Sequence, residues 1–126
     1  MIRREQVGGR LAFNAPLAVA VLASFIRDAV ETSGTQGVVV GLSGGIDSAL
    51  SAALAVRALG AGRVHAFVLP YRTSRPESEQ DARAVAEHLG FALRGIDISP
   101  MVDAYFQFEP EASAEPRPNP AETPAA

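Results

Sequence analysis

Val38, Val39 and Val40 stand in a row between Gly37 and Gly41, with no polar residue alternating among them. β-branched side chains favour extended backbone, and a short strand without polar alternation fits burial on both faces of a parallel sheet. Parallel strands require crossover connections, and helical patterns flank this run on both sides. Before it, Asn14 reads as a helix cap and Pro16 as a first-turn residue. Leu22, Phe25, Ile26, Ala29 and Val30 then recur at helical spacing until Gly34 ends the segment. After it, a loop of small residues leads into an Ala/Leu-rich helix from about Ser48 to Leu59, closed by Gly60.

The cycle then repeats. Val64 to Leu69 reads as a second strand, Pro70 to Pro76 as a loop, and Ala82, Val85, Ala86 and Leu89 as the buried stripe of a helix stopped by Gly90. Ala92 to Ile98 reads as a third strand, and Pro100 opens a short helix reaching about Phe106. Alternation with short connections predicts an α/β fold, a doubly wound parallel sheet with right-handed crossovers. Ligands in such sheets sit at the carboxyl ends of the strands, which here means the loops at 41–47 and 70–76.

Composition narrows the functional classes. A chain of 126 residues supports one modest core, and a net charge of -3 offers no electrostatic footprint for nucleic acid. With no cysteine there is no disulfide framework, thiolate metal site or thiol nucleophile. The apolar stretch from Leu17 to Val30 is interrupted by Ser24, Arg27 and Asp28, and is too short to span a bilayer. No long apolar segment follows the charged N-terminus, so a secretory signal is not expected. The simplest reading is a soluble cytoplasmic protein without nucleic-acid or membrane partners. All eleven basic residues are arginines, so a Walker-type phosphate loop, which needs a lysine after its glycines, is excluded.

The chemistry concentrates in Gly41-Leu42-Ser43-Gly44-Gly45-Ile46-Asp47-Ser48, between the first strand and the Ala-rich helix. Gly44 and Gly45 allow a tight turn that brings backbone N–H groups close to a ligand. Ser43 and Ser48 add hydroxyls, and the following helix directs its positive end at the loop, which favours a bound phosphate. Asp47 suits such a site when a cation lies between carboxylate and phosphate, the usual way Mg²⁺ is held. A ligand-free glycine-rich turn capped by Ser48 is the structural alternative. His65, in the second strand, and His88, late in the third helix, have no partner for metal binding or catalysis and read as structural or exposed. The stripe of Leu22, Phe25 and Ile26 reads as core or subunit interface.

The Ser43–Ser48 string following Val-Val-Val-Gly-Leu resembles the pyrophosphate (PP) loop of the ATP pyrophosphatases. Several families share that loop. Leu69-Pro70-Tyr71-Arg72-Thr73-Ser74, followed by Pro76, Ser78 and Asp81-Ala82, looks like the corresponding segment of the ammonia-dependent NAD synthetases. The stretch from Gly37 to Leu59 and the Asp97-Ile98…Tyr105-Phe106 ending are similar to that family too, so the resemblance covers roughly residues 12–108. It implies an adenine-nucleotide α-hydrolase-like fold, here truncated to about three strands. It also implies ATP-dependent amidation of deamido-NAD by ammonia through an adenylate, releasing pyrophosphate and AMP, in a homodimer. ATP would contact residues 41–48 together with Arg72, Thr73 and Ser74, and Asp47 would bind Mg²⁺. Arg72 fits a solvated loop arginine equally well.

The family's chain continues further, and its second half supplies the catalytic residues, so none is assigned here. Residues 1–11 read as an N-terminal extension, 12–108 as the truncated domain and 109–126 as a disordered Pro/Ala/Glu-rich tail without a large apolar residue. The abrupt onset of that tail fits a frameshift or premature stop, which translation of the downstream DNA in the other two frames would test. Two other readings stand beside the synthetase: a non-catalytic nucleotide-binding or dimerising fragment, and another PP-loop enzyme such as GMP synthetase or a tRNA-modifying enzyme. A basic RNA-binding extension would mark the tRNA enzymes, and a glutaminase domain GMP synthetase; the chain shows neither.

Overall fold

The computed structural model describes residues 12–109. The expected extension at 1–11 and all but the first residue of the expected tail lie outside that range. Helix α1 spans Ala15–Ser33, strand β1 Val38–Gly41, helix α2 Ile46–Leu59 and strand β2 Val64–Val68. Helix α3 comes next at Pro76–Leu89, then strand β3 at Leu93–Gly95 and helix α4 at Ser99–Phe108. The strands form one sheet in the order β1-β2-β3, both pairs parallel. The expected α/β class with three parallel strands is what the structure contains.

The core explains why these residues make these elements. Val64, Ala66 and Val68 alternate along β2 onto one face, where Ala52 and Ala55 of α2 and Ala82 and Ala86 of α3 meet them. Alanines dominate the helical side because they let the helix backbones lie close to the sheet. Leu42 and Phe91 close the ends of this cluster, and Val38, Val40, Val85 and Leu89 pack around it. The stripe expected on α3 is therefore its inward face.

Two expectations need correction. Val39 points to the opposite face and is 74% exposed, so β1 is buried on one face rather than both. Its register partner, His65, is exposed on that same side. On α1 the inward residues are Ala23 and Val30, while Leu22 and Phe25 are exposed and Ile26 is half-buried. Leu22 and Phe25 are therefore not core, which leaves the subunit-interface half of that expectation open. The small Ala23 allows α1 to lie against α2, and the Arg27 Nε–H donates to the Ala58 carbonyl at 3.1 Å near the end of α2.

Boundaries moved by a few residues. α2 begins at Ile46, because Gly45 caps it from extended backbone. β3 is shorter than the expected Ala92–Ile98, yet the Ile96 and Ile98 N–H groups still reach the Val68 and Pro70 carbonyls at 2.9 and 3.0 Å. These bonds carry the pairing out towards the loop after β2. No helix among the described residues is long and apolar enough to cross a membrane.

Candidate functional site

β1 and β2 end side by side, and the Leu42 N–H donates to the Phe67 carbonyl at 2.8 Å where the two chains part. Between the diverging loops opens a cleft of about 710 Å³. Its first wall includes Gly41, Leu42 and Ser43, and its second includes Thr73, Ser74 and Arg75 with Ser78 and Glu79 from the first turn of α3. The ends of β2 form its floor, through Phe67, Val68, Leu69 and Pro70.

The 43–48 loop is internally braced. The Ser43 N–H donates to Ser48 Oγ at 3.1 Å, and the Gly45 N–H donates to Ser43 Oγ at 3.1 Å. The two serine hydroxyls lie 3.1 Å apart, and Ser48 Oγ–H reaches the Gly45 carbonyl at 3.2 Å. Ser48 thus ties the loop to the first turn of α2 from inside the helix, and is not the helix cap. Gly44 makes the turn possible: its φ is +83°, and a Cβ there would lie 2.5 Å from the Ser78 carbonyl oxygen. The loop is therefore pressed against the start of α3, backbone to backbone.

The helix ends differ in a way that matters for an anion. α1 is capped by Asn14, whose Oδ1 accepts from the Leu17 N–H at 3.1 Å. α2 and α3 begin at Gly45 and Arg75 with no side-chain cap. The first-turn N–H groups of α2 thus have no side-chain partner, whereas in α3 Pro76 carries no N–H and the Ser78 N–H donates to the Arg75 carbonyl at 3.1 Å. Asp47 lies in the exposed first turn of α2 and has no ion-pair partner among the described residues. No group of three His, Cys, Asp or Glu side chains gathers among the described residues. The donor set thus fits a cation shared with phosphate oxygens, and not an all-protein metal site.

Of the residues expected at the site, the cleft brings together Gly41, Leu42, Ser43, Thr73 and Ser74. Gly44, Gly45, Ile46, Asp47 and Ser48 continue the loop outside the cleft lining, with Ile46 82% exposed. Arg72 stands apart. Its guanidinium pairs with the Asp103 carboxylate of α4 and lies over the Tyr71 ring, 5.6 Å from the centroid, so it belongs to the loop's outer side. Arg75 and Glu79 line the cleft without having been singled out from the sequence, and Ser78, quoted there only for the resemblance, lines it too. Their position just after the second strand, at a proline-initiated helix, was the available signal. His65 and His88 are both exposed, one of the two placements expected for them.

Beyond the cleft, Asp97 is held below the usual carboxylate range, first by its hydrogen bond with the Ser99 side chain, then by the Ser99 N–H at 2.8 Å, with a smaller contribution from Arg72. These groups anchor the start of α4.

Comparison with known proteins agrees with this geometry. The NAD synthase family model matches residues 18–120. The chain is 50% identical over 104 residues to the NH3-dependent NAD(+) synthetase of Trichlorobacter lovleyi, covering 82% of this chain and 38% of that protein. The solved NH3-dependent NAD synthetase of Campylobacter jejuni, in complex with nitrate, superposes with a TM-score of 0.72 at 36% identity, over 77% of this chain and 42% of that one. The glutamine-dependent NAD+ synthetase of Acinetobacter baumannii, in complex with ADP, gives 0.69 at 41% identity, over 76% of this chain and 18% of that one. The chain thus spans well under half the length of these relatives. With the family model matching residues 18–120 and the sheet superposing on these solved structures, the chain belongs to the NAD synthase family.

Proposed function

We propose that this chain supplies the ATP-binding part of an ammonia-dependent NAD synthetase. In that reaction the nicotinate carboxylate of deamido-NAD attacks the α-phosphorus of ATP, and pyrophosphate leaves. Ammonia then displaces AMP and forms the amide. The observation that carries this reading is the 43–48 loop, which turns from the end of β1 into an α2 with no side-chain cap and has its Ser43 in the cleft lining. The ADP named for the Acinetobacter baumannii relative supports it.

Each residue has a physical task on this reading. The Gly44 and Gly45 backbone allows close approach of the pyrophosphate end, and the first-turn N–H groups of α2 donate to its oxygens. The Ser43 and Ser48 hydroxyls hold the loop in shape and offer further donors. Thr73 and Ser74 stand opposite, against the nucleoside side. Asp47 would hold Mg²⁺ jointly with phosphate oxygens, and the ion would neutralise charge on the departing pyrophosphate. The homodimer expected from the resemblance finds support in α1 and the residue before its cap, where Phe13, Leu17, Val21 and Phe25 are large apolar side chains left exposed. A cytoplasmic location belongs to the same proposal.

The test is NAD formation by the purified chain from deamido-NAD, ATP, MgCl₂ and ammonium, together with ATP binding by calorimetry, with Asp47→Ala as control. Turnover that disappears in the variant supports the full reading. Since the chain spans 38% of the Trichlorobacter lovleyi relative, a second reading is nucleotide binding without turnover by these residues alone. ATP binding with no NAD formed would favour that one, and absence of both would sink each.

A further inference from the structure

Helix α4 has no buried residue, yet it lies against the molecule in a defined place. Its polar contacts explain how. Asp103 pairs through Oδ2 with the Arg72 guanidinium, and its Oδ1 lies 3.5 Å from the Tyr71 hydroxyl. One turn earlier the Ser99 hydroxyl accepts the Arg72 N–H at 3.0 Å, and the Ile98 N–H donates to the Pro70 carbonyl at 3.0 Å. Three consecutive residues, Pro70, Tyr71 and Arg72, are thereby fastened to the start and middle of α4.

Residues 71–74 form a closed turn. The Tyr71 N–H donates to Ser74 Oγ at 3.0 Å, and the Ser74 N–H returns to the Tyr71 carbonyl at 2.7 Å. A four-residue turn tied at both ends moves as one piece, so whatever fixes Tyr71 and Arg72 also fixes Thr73 and Ser74. Those two face the cleft, while Arg72 faces away from it.

We propose that Asp103 is a positioning residue for the nucleotide cleft: by holding Tyr71 and Arg72 it sets the stance of the Thr73–Ser74 wall. This rests on the nucleotide reading above. Helix α4 is, on this view, a buttress applied from behind the loop. Exposed ion pairs contribute little singly. Here the pair, the tyrosine contact and the Ser99 bond act on adjacent residues of one rigid turn, so their effects combine at the wall.

The experiment is calorimetric titration of the whole chain with ATP and, separately, with inorganic pyrophosphate, both in MgCl₂. Asp103→Asn should weaken ATP by about threefold to fivefold, the size expected for loss of an exposed ion pair with its neighbouring contact. Pyrophosphate, which on the nucleotide reading is held by the 43–48 loop, should bind as before. The charge-exchanged double variant Arg72→Asp/Asp103→Arg should recover part of the ATP affinity, which a general loosening of the fold would not produce. Ser99→Ala should show the same ATP-selective loss and serves if Asp103→Asn fails to fold by circular dichroism. Equal affinities in Asp103→Asn and the unaltered chain would overturn the proposal, as would an equal loss for both ligands. An unaltered chain that binds neither ligand would remove the nucleotide reading itself, an outcome distinct from the other two.

Discussion

Gly44 and Ser78 touch backbone to backbone: a methyl group on Gly44 would lie 2.5 Å from the Ser78 carbonyl oxygen and 2.7 Å from its Cα. The phosphate-type loop and the first turn of α3 are thus fitted to each other with no room for a side chain. Gly44→Ala meets both this contact and a φ of +83°. Left-handed backbone costs a non-glycine residue about 1–3 kcal/mol, before the contact is relieved. Denaturant unfolding should show at least that loss, and ATP binding should fall with it because relief requires the loop to move.

Asp47 separates a helix effect from a metal effect. A carboxylate in the first turn of α2 favours the helix dipole, so Asp47→Asn should lower stability by only about 0.3–1 kcal/mol. Its expected effect on ATP is larger and conditional. In MgCl₂ the affinity should drop, and in EDTA the variant and the unaltered chain should bind alike or in reverse order. Equal binding in MgCl₂ would remove Asp47 from the proposed site.

Ala52 is 0% exposed, at the place where α2 rests on the sheet. Ala52→Leu adds three carbons where neighbouring alanines and valines leave no space. Overpacking of this kind costs about 1–3 kcal/mol, which a thermal or denaturant midpoint would report. Ala53, half-buried on the same helix, should accept leucine with a much smaller change.

Asp97 gives a pH dependence with a definite sign. Its folded-state pKa lies below the ordinary value because Ser99 hydrogen-bonds its charged form. The contribution to stability is therefore complete above the unfolded pKa, near pH ~4, and is lost as pH falls through the lower folded value. Acid titration followed by amide exchange should loosen the first turn of α4 below about pH 4. In Asp97→Asn that step should be absent.

The alternation of elements was legible because each carries its own local signal. β2 and α3 show this best, since the Val64–Leu69 run, apolar but for His65, and an Ala82/Ala86 stripe need no partner to be recognised. The start of α2 was misplaced by two residues because its cap, Gly45, has no side chain to announce it. Val39 looked like core because a valine triplet does not record whether its second face is covered. On α1 the same ambiguity worked the other way: large side chains point out, and Ala23 makes the contact. The 43–48 loop was readable residue by residue, since glycine, hydroxyl and carboxylate requirements are local. The role of Arg72 was not, because its partner Asp103 lies 31 residues further on and only the fold brings them together.

The sheet order β1-β2-β3 runs in the order of the chain. Each strand has its neighbour delivered by the next thirty or so residues to leave the ribosome, through a single helical crossover. None of these three strands must wait for a distant segment to be inserted between two already in place. Loop closure therefore stays short at every step, and growth can proceed outward from the β1–β2 pair during synthesis. A nascent chain of this kind can settle its glycine-rich turn once β2 and the first turn of α3 have docked, before α4 is made.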